Sequence, residues 1–222
     1  MPGVSPRRPA KRARTKGASR DRILTQAIEL FALHGFDAMT MRHLGDAVGL
    51  DNSSLYRHFA SKADLAHAAV DHVAGEVLAK TAPLIDPPRP ITLPALEDVC
   101  VAAGLHFFDR PSSARLMLHW IMSTGTDGPG FAVSVPATDK TRPGGALLGI
   151  LRAGLDAGVR GGTLRKHAMP EAAVILLGAI LVRPATYGYL LKSMEPKRAR
   201  AAARNAWEKE LRAFIRGAFA PQ

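Results

Sequence analysis

Polar and basic side chains are concentrated between residues 40 and 59, which read Thr-Met-Arg-His-Leu-Gly-Asp-Ala-Val-Gly-Leu-Asp-Asn-Ser-Ser-Leu-Tyr-Arg-His-Phe. Short polar groups at the start of a helix are suited to hydrogen-bond base edges, and here they are Asn52, Ser53 and Ser54. The side chains that follow are suited to phosphate oxygens: Tyr56, Arg57 and His58. The segment therefore predicts a surface that contacts DNA.

Further groups extend this predicted surface on both sides. Lys62 begins the next predicted helix, where an ammonium group and free backbone N–H groups together favour a phosphate. Thr40, Met41 and Arg42, at the start of the preceding helix, complete the expected DNA-contacting set. His43 and His58 lie on different predicted helices with no third ligand nearby, so we expect polar surface histidines rather than a metal site.

The elements that position these groups form a predicted helix-turn-helix. Thr40 caps a helix from Met41 to Val48, and Asp51 caps a second from Asn52 to His58. Two helices that cross steeply need a small residue at the contact and a glycine at the turn, and Gly45 and Gly49 meet both demands. The small shared core consists of Leu44, Val48, Leu50 and Leu55.

This stretch resembles the DNA-binding domain of the TetR (tetracycline-repressor-like) family over residues 20–66. The matching positions are Ile23-Leu24, Leu30-Phe31, Gly35-Phe36, Thr40-Met41, Leu44, Gly49-Leu50, Leu55-Tyr56-Arg57-His58-Phe59, Ser61-Lys62 and Leu65. The chain departs from the family pattern at Gly45 and Val48 (usually alanine), Asp51 (usually serine) and Ser53 (usually glycine). The resemblance implies an Ω-shaped homodimer whose C-terminal domain binds an effector and releases DNA.

The whole chain is predicted to be all-α, with an N-terminal three-helix domain and a larger C-terminal helical bundle. Residues 1–18 carry six basic residues and no acid, so we expect a disordered arm, either a solvated tail or an insertion into the minor groove. The DNA-binding domain is expected at 19–66, with a helix from Ser19 to Gly35 and another starting at Ser61. The ligand-binding and dimerisation domain is expected at 67–222.

The C-terminal domain is predicted to contain several apolar helices. They run from Pro94 to Phe108, Pro111 to Met122, Leu147 to Gly158, Pro170 to Leu191, and Pro196 to Gly217. Residues 123–144 are rich in glycine and proline and predict a long loop. The first of these helices is apolar on nearly every face and should be central.

Composition limits the classes of function. Thirty Lys+Arg against nineteen Asp+Glu give +11, which favours a polyanionic partner without separating DNA from an anionic membrane or a solvated surface. The one cysteine, Cys100, excludes an internal disulfide framework and a Cys-based zinc site. We find no secretory signal and no apolar run long enough to cross a bilayer, and expect a soluble, cytoplasmic protein without membrane contact. No nucleophile elbow, phosphate-binding loop or dinucleotide fingerprint is present, so neither an enzyme nor a cofactor is expected.

The C-terminal apolar residues have two candidate roles, each with ordinary core as the competing interpretation. A pocket for a hydrophobic or aromatic effector, neutral or anionic, is predicted from Cys100, His106, Phe107, Met117, His119, Trp120 and Tyr187. A homodimer interface is predicted from Ile175, Gly178, Ala179, Val182, Ala203, Trp207, Leu211 and Phe214. The sequence thus predicts a ligand-responsive regulator of double-stranded DNA, most simply a repressor. A TetR-like activator and an architectural DNA-binding protein without a ligand remain alternatives.

Overall fold

The computed structural model describes residues 10–85, 89–122, 143–166, 172–191 and 197–221. These residues form nine α-helices and one short 3-10 helix, Ala82–Leu84, with no strand among them. The α-helices are α1 (Ala10–Ala38), α2 (Met41–Val48), α3 (Asn52–Tyr56), α4 (Lys62–Thr81), α5 (Leu93–Asp109), α6 (Pro111–Met122), α7 (Pro143–Arg160), α8 (Ala172–Leu191) and α9 (Lys197–Phe219). The prediction of an all-α fold is confirmed.

The chain divides into two compact units, Met1–Ala69 and Val70–Gln222. The boundary lies inside α4, at Ala69 rather than at residue 66 where we expected it. In the N-terminal unit the predicted apolar stripe of α1 is buried, as are the side chains that α2, α3 and α4 contribute. This core contains Leu24, Ala27, Ile28, Phe31, Leu44, Val48, Leu55, Phe59 and Leu65.

Side-chain caps begin α2 and α4 where the sequence places them. Thr40 Oγ1 accepts a hydrogen bond from the His43 N–H at 3.2 Å. At the start of α4, Ser61 Oγ accepts from the Asp64 N–H at 3.0 Å, and Asp64 Oδ2 accepts from the Ala60 N–H at 3.1 Å. These bonds satisfy donors that a helix leaves unpaired at its first turn, so the predicted caps are confirmed.

The first helix differs from its prediction at the N-terminus. It begins at Ala10 rather than Ser19, so it extends into the segment where we expected a disordered arm. Alanine, lysine and arginine favour a helix, and such a segment extends one that a buried stripe already stabilises. Near its other end α1 is interrupted at Gly35, whose φ of 75° breaks the helix at the glycine that we expected to end it.

In the C-terminal unit α8 packs against α5, α6 and α7, while α5 also packs against α9. The predicted central position of α5 is confirmed, because ten of its residues are buried. α7 begins at Pro143 rather than at Leu147, and the remainder of the predicted loop, 123–142, lies outside the described residues. Within the described ranges no helix is long and apolar enough to cross a membrane.

Candidate functional site

The turn between α2 and α3 depends on two glycines, as the sequence predicted. Gly49 adopts φ 68°, a left-handed conformation that favours glycine, and its N–H donates to the Gly45 carbonyl. A Cβ on Gly45 would lie 2.6 Å from the carbonyl oxygen of Leu50, so this close approach leaves no room for a side chain without movement of the turn. Gly45 and Gly49 together place the start of α3 directly after the turn.

A hydrogen-bond network organises the first turn of α3. The Asp51 carboxylate accepts from the Ser54 N–H at 2.7 Å and from the Ser53 hydroxyl at 2.6 Å. The Ser53 hydroxyl, then the Ser54 N–H, hold the pKa of Asp51 below its usual value. The Arg57 guanidinium in turn donates to Ser54 Oγ at 2.6 Å. The helix therefore begins with exposed polar groups in a fixed arrangement.

The other predicted DNA-contacting residues differ in the exposure of their side chains. Asn52, Ser53, Tyr56, Arg57, Thr40 and Arg42 are exposed, and Ser54 and His58 are half-buried. Met41 is buried in the core, so the predicted contact through its side chain is wrong. The apolar face of α2 begins at its first residue, which turns Met41 inward.

Lys62, the predicted phosphate clamp, also has partners within the protein. Its Nζ donates to the carbonyl oxygens of Phe36 at 2.9 Å and Asp37 at 3.3 Å. The same ammonium lies 4.5 Å from the centre of the Phe36 ring. The interruption of α1 at Gly35 leaves these carbonyls without helical partners, and the lysine satisfies them. Lys62 therefore fixes the end of α1 against the start of α4.

Two arginines of α1 support the helix-turn-helix in ways that we did not predict. The Arg22 guanidinium donates to the carbonyl of Val48, at the end of α2. Arg20 lies over the Phe59 ring at 4.5 Å from its centre. The only signal in the sequence was an arginine on either side of Asp21, which does not identify a partner.

The C-terminal unit contains an apolar cavity of about 160 Å³. It is lined by Val77, Leu78, Thr81, Ala82, Ile85, Ile91, Val99, Cys100, Ala103, Leu151, Gly154, Leu177 and Ile180. Of the six predicted pocket residues whose side chains the structure describes, only Cys100 is among them. His106, Phe107 and Met117 are buried without lining the cavity, His119 is exposed and Trp120 is half-buried. The side chain of Tyr187 lies outside the described residues.

The cavity presents no charge to an occupant. Burial raises the pKa of the Cys100 thiol to about 12, which keeps it protonated at neutral pH. The buried Thr81 hydroxyl donates to the Val77 carbonyl at 3.0 Å and keeps only acceptor capacity. The other lining side chains are hydrocarbon, so the cavity suits an uncharged apolar molecule better than an anion.

A polar cluster lies next to the cavity lining. The Glu76 carboxylate pairs with Arg110 at 2.7 Å and lies 3.9 Å from His72 Nε2 and 3.5 Å from His106 Nε2. Burial, and to a lesser extent the charge of Lys80, lower the pKa of His106 from 6.5 to about 4. Within the described ranges no three His, Cys, Asp or Glu side chains are placed to hold a metal ion.

The predicted dimer interface separates into exposed and buried residues. Ile175, Val182 and Phe214 are large apolar side chains with exposures of 40, 50 and 43%. Gly178, Ala179 and Ala203 are half-buried. Trp207 and Leu211 are buried within the unit, so their predicted role in the interface is wrong. They lie on the side of α9 that packs against α5.

Known proteins share both the N-terminal segment and the fold. The model of the family described as bacterial regulatory proteins, tetR family, matches residues 23–69, the segment that contains the two glycines and the capped α3. Within its N-terminal unit the chain is similar to the tetR family over residues 23–69. An HTH-type transcriptional regulator from Saccharopolyspora erythraea is 39% identical over 77 residues, which cover 34% of this chain and 33% of that protein. The matched segment therefore spans about a third of this relative.

Solved structures of the tetR family share the fold over most of the chain. A putative tetR family regulator from Shewanella sp. PV-4 superposes with a TM-score of 0.67 at 18% identity, covering 92% of this chain and 99% of that one. FadR from Bacillus subtilis, solved in complex with stearoyl-CoA, gives a TM-score of 0.58 at 15% identity, covering 86% of this chain and 96% of that one. The predicted architecture, an N-terminal helix-turn-helix followed by a larger helical domain, is confirmed.

Proposed function

We propose that the chain is a DNA-binding transcriptional regulator that reads an operator with α3 and responds to a small apolar effector. The observation that carries the proposal is the capped, exposed first turn of α3, held by the Gly45–Gly49 turn within the segment that matches the family. Such a helix enters the major groove and contacts base edges with its N-terminal residues. The charge of +11 adds attraction to the phosphate backbone.

The exposed residues of α3 divide into two roles in this proposal. Asn52, Ser53 and Ser54 contact base edges and set sequence preference. Tyr56 and Arg57 contact phosphates and contribute similar affinity on any sequence. Because Arg57 donates to Ser54 Oγ in this structure, the two roles are coupled, and a phosphate competes with Ser54 for the guanidinium.

A second copy of the chain is the proposed partner of the exposed apolar face on α8 and α9. Ile175 and Val182 are seven residues apart on α8 and share one face, beside small residues that permit close approach. The Arg183–Glu210 ion pair links α8 to α9, next to Val182 in the chain. To bind two half-sites in successive major grooves, a two-fold dimer needs its two copies of α3 about 34–36 Å apart.

The cavity of the C-terminal unit is the proposed effector site. Its hydrocarbon lining supports a neutral effector rather than an anionic one. FadR was solved with stearoyl-CoA, so a protein of the same fold takes a ligand with an apolar chain. An effector that prefers the non-binding conformation by about 10³-fold weakens operator affinity by up to about 4 kcal/mol. Loss of operator binding on effector addition is the behaviour of a repressor that is released by its ligand.

Selection of genomic DNA fragments by the purified chain tests the proposal. Enrichment of a palindromic site, retained as salt rises, is the expected result. Arg57→Ala should weaken retention of all fragments, whereas Arg160→Ala, which removes the same charge from the exposed end of α7, should change it little. Salt-sensitive binding with no preferred sequence would favour an architectural protein, and no binding would overturn the proposal.

A further inference from the structure

His106 is the most deeply buried imidazole of the C-terminal unit that the structure describes, at 1% exposure. Neither ring nitrogen has a hydrogen-bond partner among the described residues. A buried polar atom without a partner costs free energy, and such atoms are rare in native proteins. The cost calls for a hydrogen-bond partner that the described residues do not supply.

The position of His106 connects it with the cavity. Val99 and Ala103 are cavity-lining residues on α5, and His106 follows Ala103 by three residues, on the same face and one turn further along the helix. On α4, the lining residue Val77 is adjacent in the chain to Glu76, whose carboxylate lies 3.5 Å from His106 Nε2. His106 therefore lies one helical turn beyond a lining residue of α5 and next to a side chain of α4 that neighbours the lining.

The charges around His106 determine which group it offers. The Glu76 carboxylate favours the tautomer with its proton on Nε2, which leaves Nδ1 as a hydrogen-bond acceptor. Arg110 and Lys80 oppose protonation of the ring, and Asp109 and Glu76 favour it, with burial the dominant effect against. The ring is neutral at neutral pH and accepts one hydrogen bond.

We propose that His106 Nδ1 accepts a hydrogen bond from a hydroxyl group of the effector, whose apolar body occupies the adjacent cavity. The effector class is a small uncharged molecule with one hydroxyl, a phenol or an alcohol. This inference rests on the proposed effector site and makes it specific. A ligand of this class accounts both for the imidazole that lacks a hydrogen-bond partner among the described residues and for the uncharged lining of the cavity.

A matched pair of probes tests the inference. Phenol and toluene have nearly the same size and differ by a hydroxyl in place of a methyl group. Dissociation constants come from the dependence of the unfolding temperature of the full chain on probe concentration. The wild type should bind phenol about fivefold more tightly than toluene, the gain expected from one added hydrogen bond.

Four variants make the result specific to His106 and to the cavity. His106→Phe should remove the preference for phenol, and His106→Gln, which keeps an acceptor, should restore part of it. His119→Phe, the same change at an exposed position, should leave the preference intact. Ala103→Leu, which fills the cavity from α5, should abolish binding of both probes.

Equal affinities for phenol and toluene in the wild type would overturn the inference, as would a preference for phenol that persists in His106→Phe. Absence of binding by either probe, or unchanged binding in Ala103→Leu, would overturn it as well. Operator binding is measured separately without a probe. An overturned hydroxyl site therefore remains distinguishable from a failure of the proposed DNA-binding function.

Discussion

The indole of Trp207 lies directly against the backbone of Gly104, where α9 crosses α5. A Cβ on Gly104 would approach Trp207 Cη2 to 2.0 Å, so the tryptophan occupies the space that any other residue would need. Both residues are buried, and the Phe108 ring lies 5.9 Å from the indole, centre to centre. This contact fixes α9 on α5 and gives Trp207 a role inside one subunit.

Gly104→Ala should therefore destabilise the C-terminal unit. The added methyl group forces the indole or the helices apart, a change that costs about 1–3 kcal/mol in a packed core. Urea unfolding should show a lower midpoint. Gly75→Ala is the matched control, because a Cβ at Gly75 in α4 meets nothing within 4 Å, and the better helix former should leave stability equal or higher. Equal effects of the two substitutions would contradict the packing described here.

The cap of α3 leads to a second prediction. Asp51→Ala removes the acceptor of the Ser54 N–H and the Ser53 hydroxyl, and should lower both the unfolding temperature and the affinity for DNA. Asp51→Ser, which supplies the cap residue usual in the family, should retain most of both properties. Folding lowers the pKa of Asp51, so its carboxylate stabilises the folded chain at any pH above the pKa that Asp51 has in the unfolded chain. This stabilisation is lost as the pH falls through the pKa that Asp51 has in the folded chain. The difference in stability between wild type and Asp51→Ala should shrink in acid.

The buried imidazole of His106 predicts a pH dependence of stability. Its pKa falls from 6.5 in the unfolded chain to about 4 in the folded one, mainly through burial. Between these values the unfolded state binds the proton and the folded state does not. Stability should therefore be complete above pH 6.5 and decrease by roughly 3 kcal/mol as pH falls to 4. Urea titrations of wild type and His106→Phe across this range check the prediction, and identical pH profiles would contradict it.

The exposed face of α8 predicts the oligomeric state. Val182→Glu places a charge at the centre of the proposed interface and should raise the dissociation constant of the dimer by about a hundredfold or more. Sedimentation velocity should then find single chains at concentrations where the wild type is a dimer. Leu84→Glu changes an exposed leucine outside α8 and α9 and should leave the dimer intact. If the wild-type chain sediments as a monomer, the proposed interface is contradicted.

The sequence predictions that proved correct depend on residues that lie close together in the chain. The turn at Gly49 and the caps at Thr40, Asp51 and Ser61 depend on residues within four positions of each other, so the sequence contains the whole motif. Met41 was misjudged because its place in the first turn of α2 resembles that of its exposed neighbour Arg42. Burial depends on the direction of the helix face, which the flanking residues of α2 alone do not define.

The cavity and the interface could not be derived in the same way. The cavity walls come from residues as distant in sequence as Val77, Ile91 and Leu177, and periodicity identifies an apolar face without naming its partner. The same limit explains Trp207 and Phe214, which were assigned to one stripe of α9. Packing on α5 buries the first and leaves the second exposed.

The most direct test of the account compares the affinity of the chain for its selected palindrome with that for a scrambled duplex, over a salt series. The wild type should bind the palindrome at least about 10³-fold more tightly. Asn52→Ala should reduce this ratio, whereas Arg57→Ala should weaken both duplexes alike and reduce the salt slope by about one. A wild-type ratio near one, or equal losses on both duplexes for every variant, would contradict the claim that α3 reads DNA sequence.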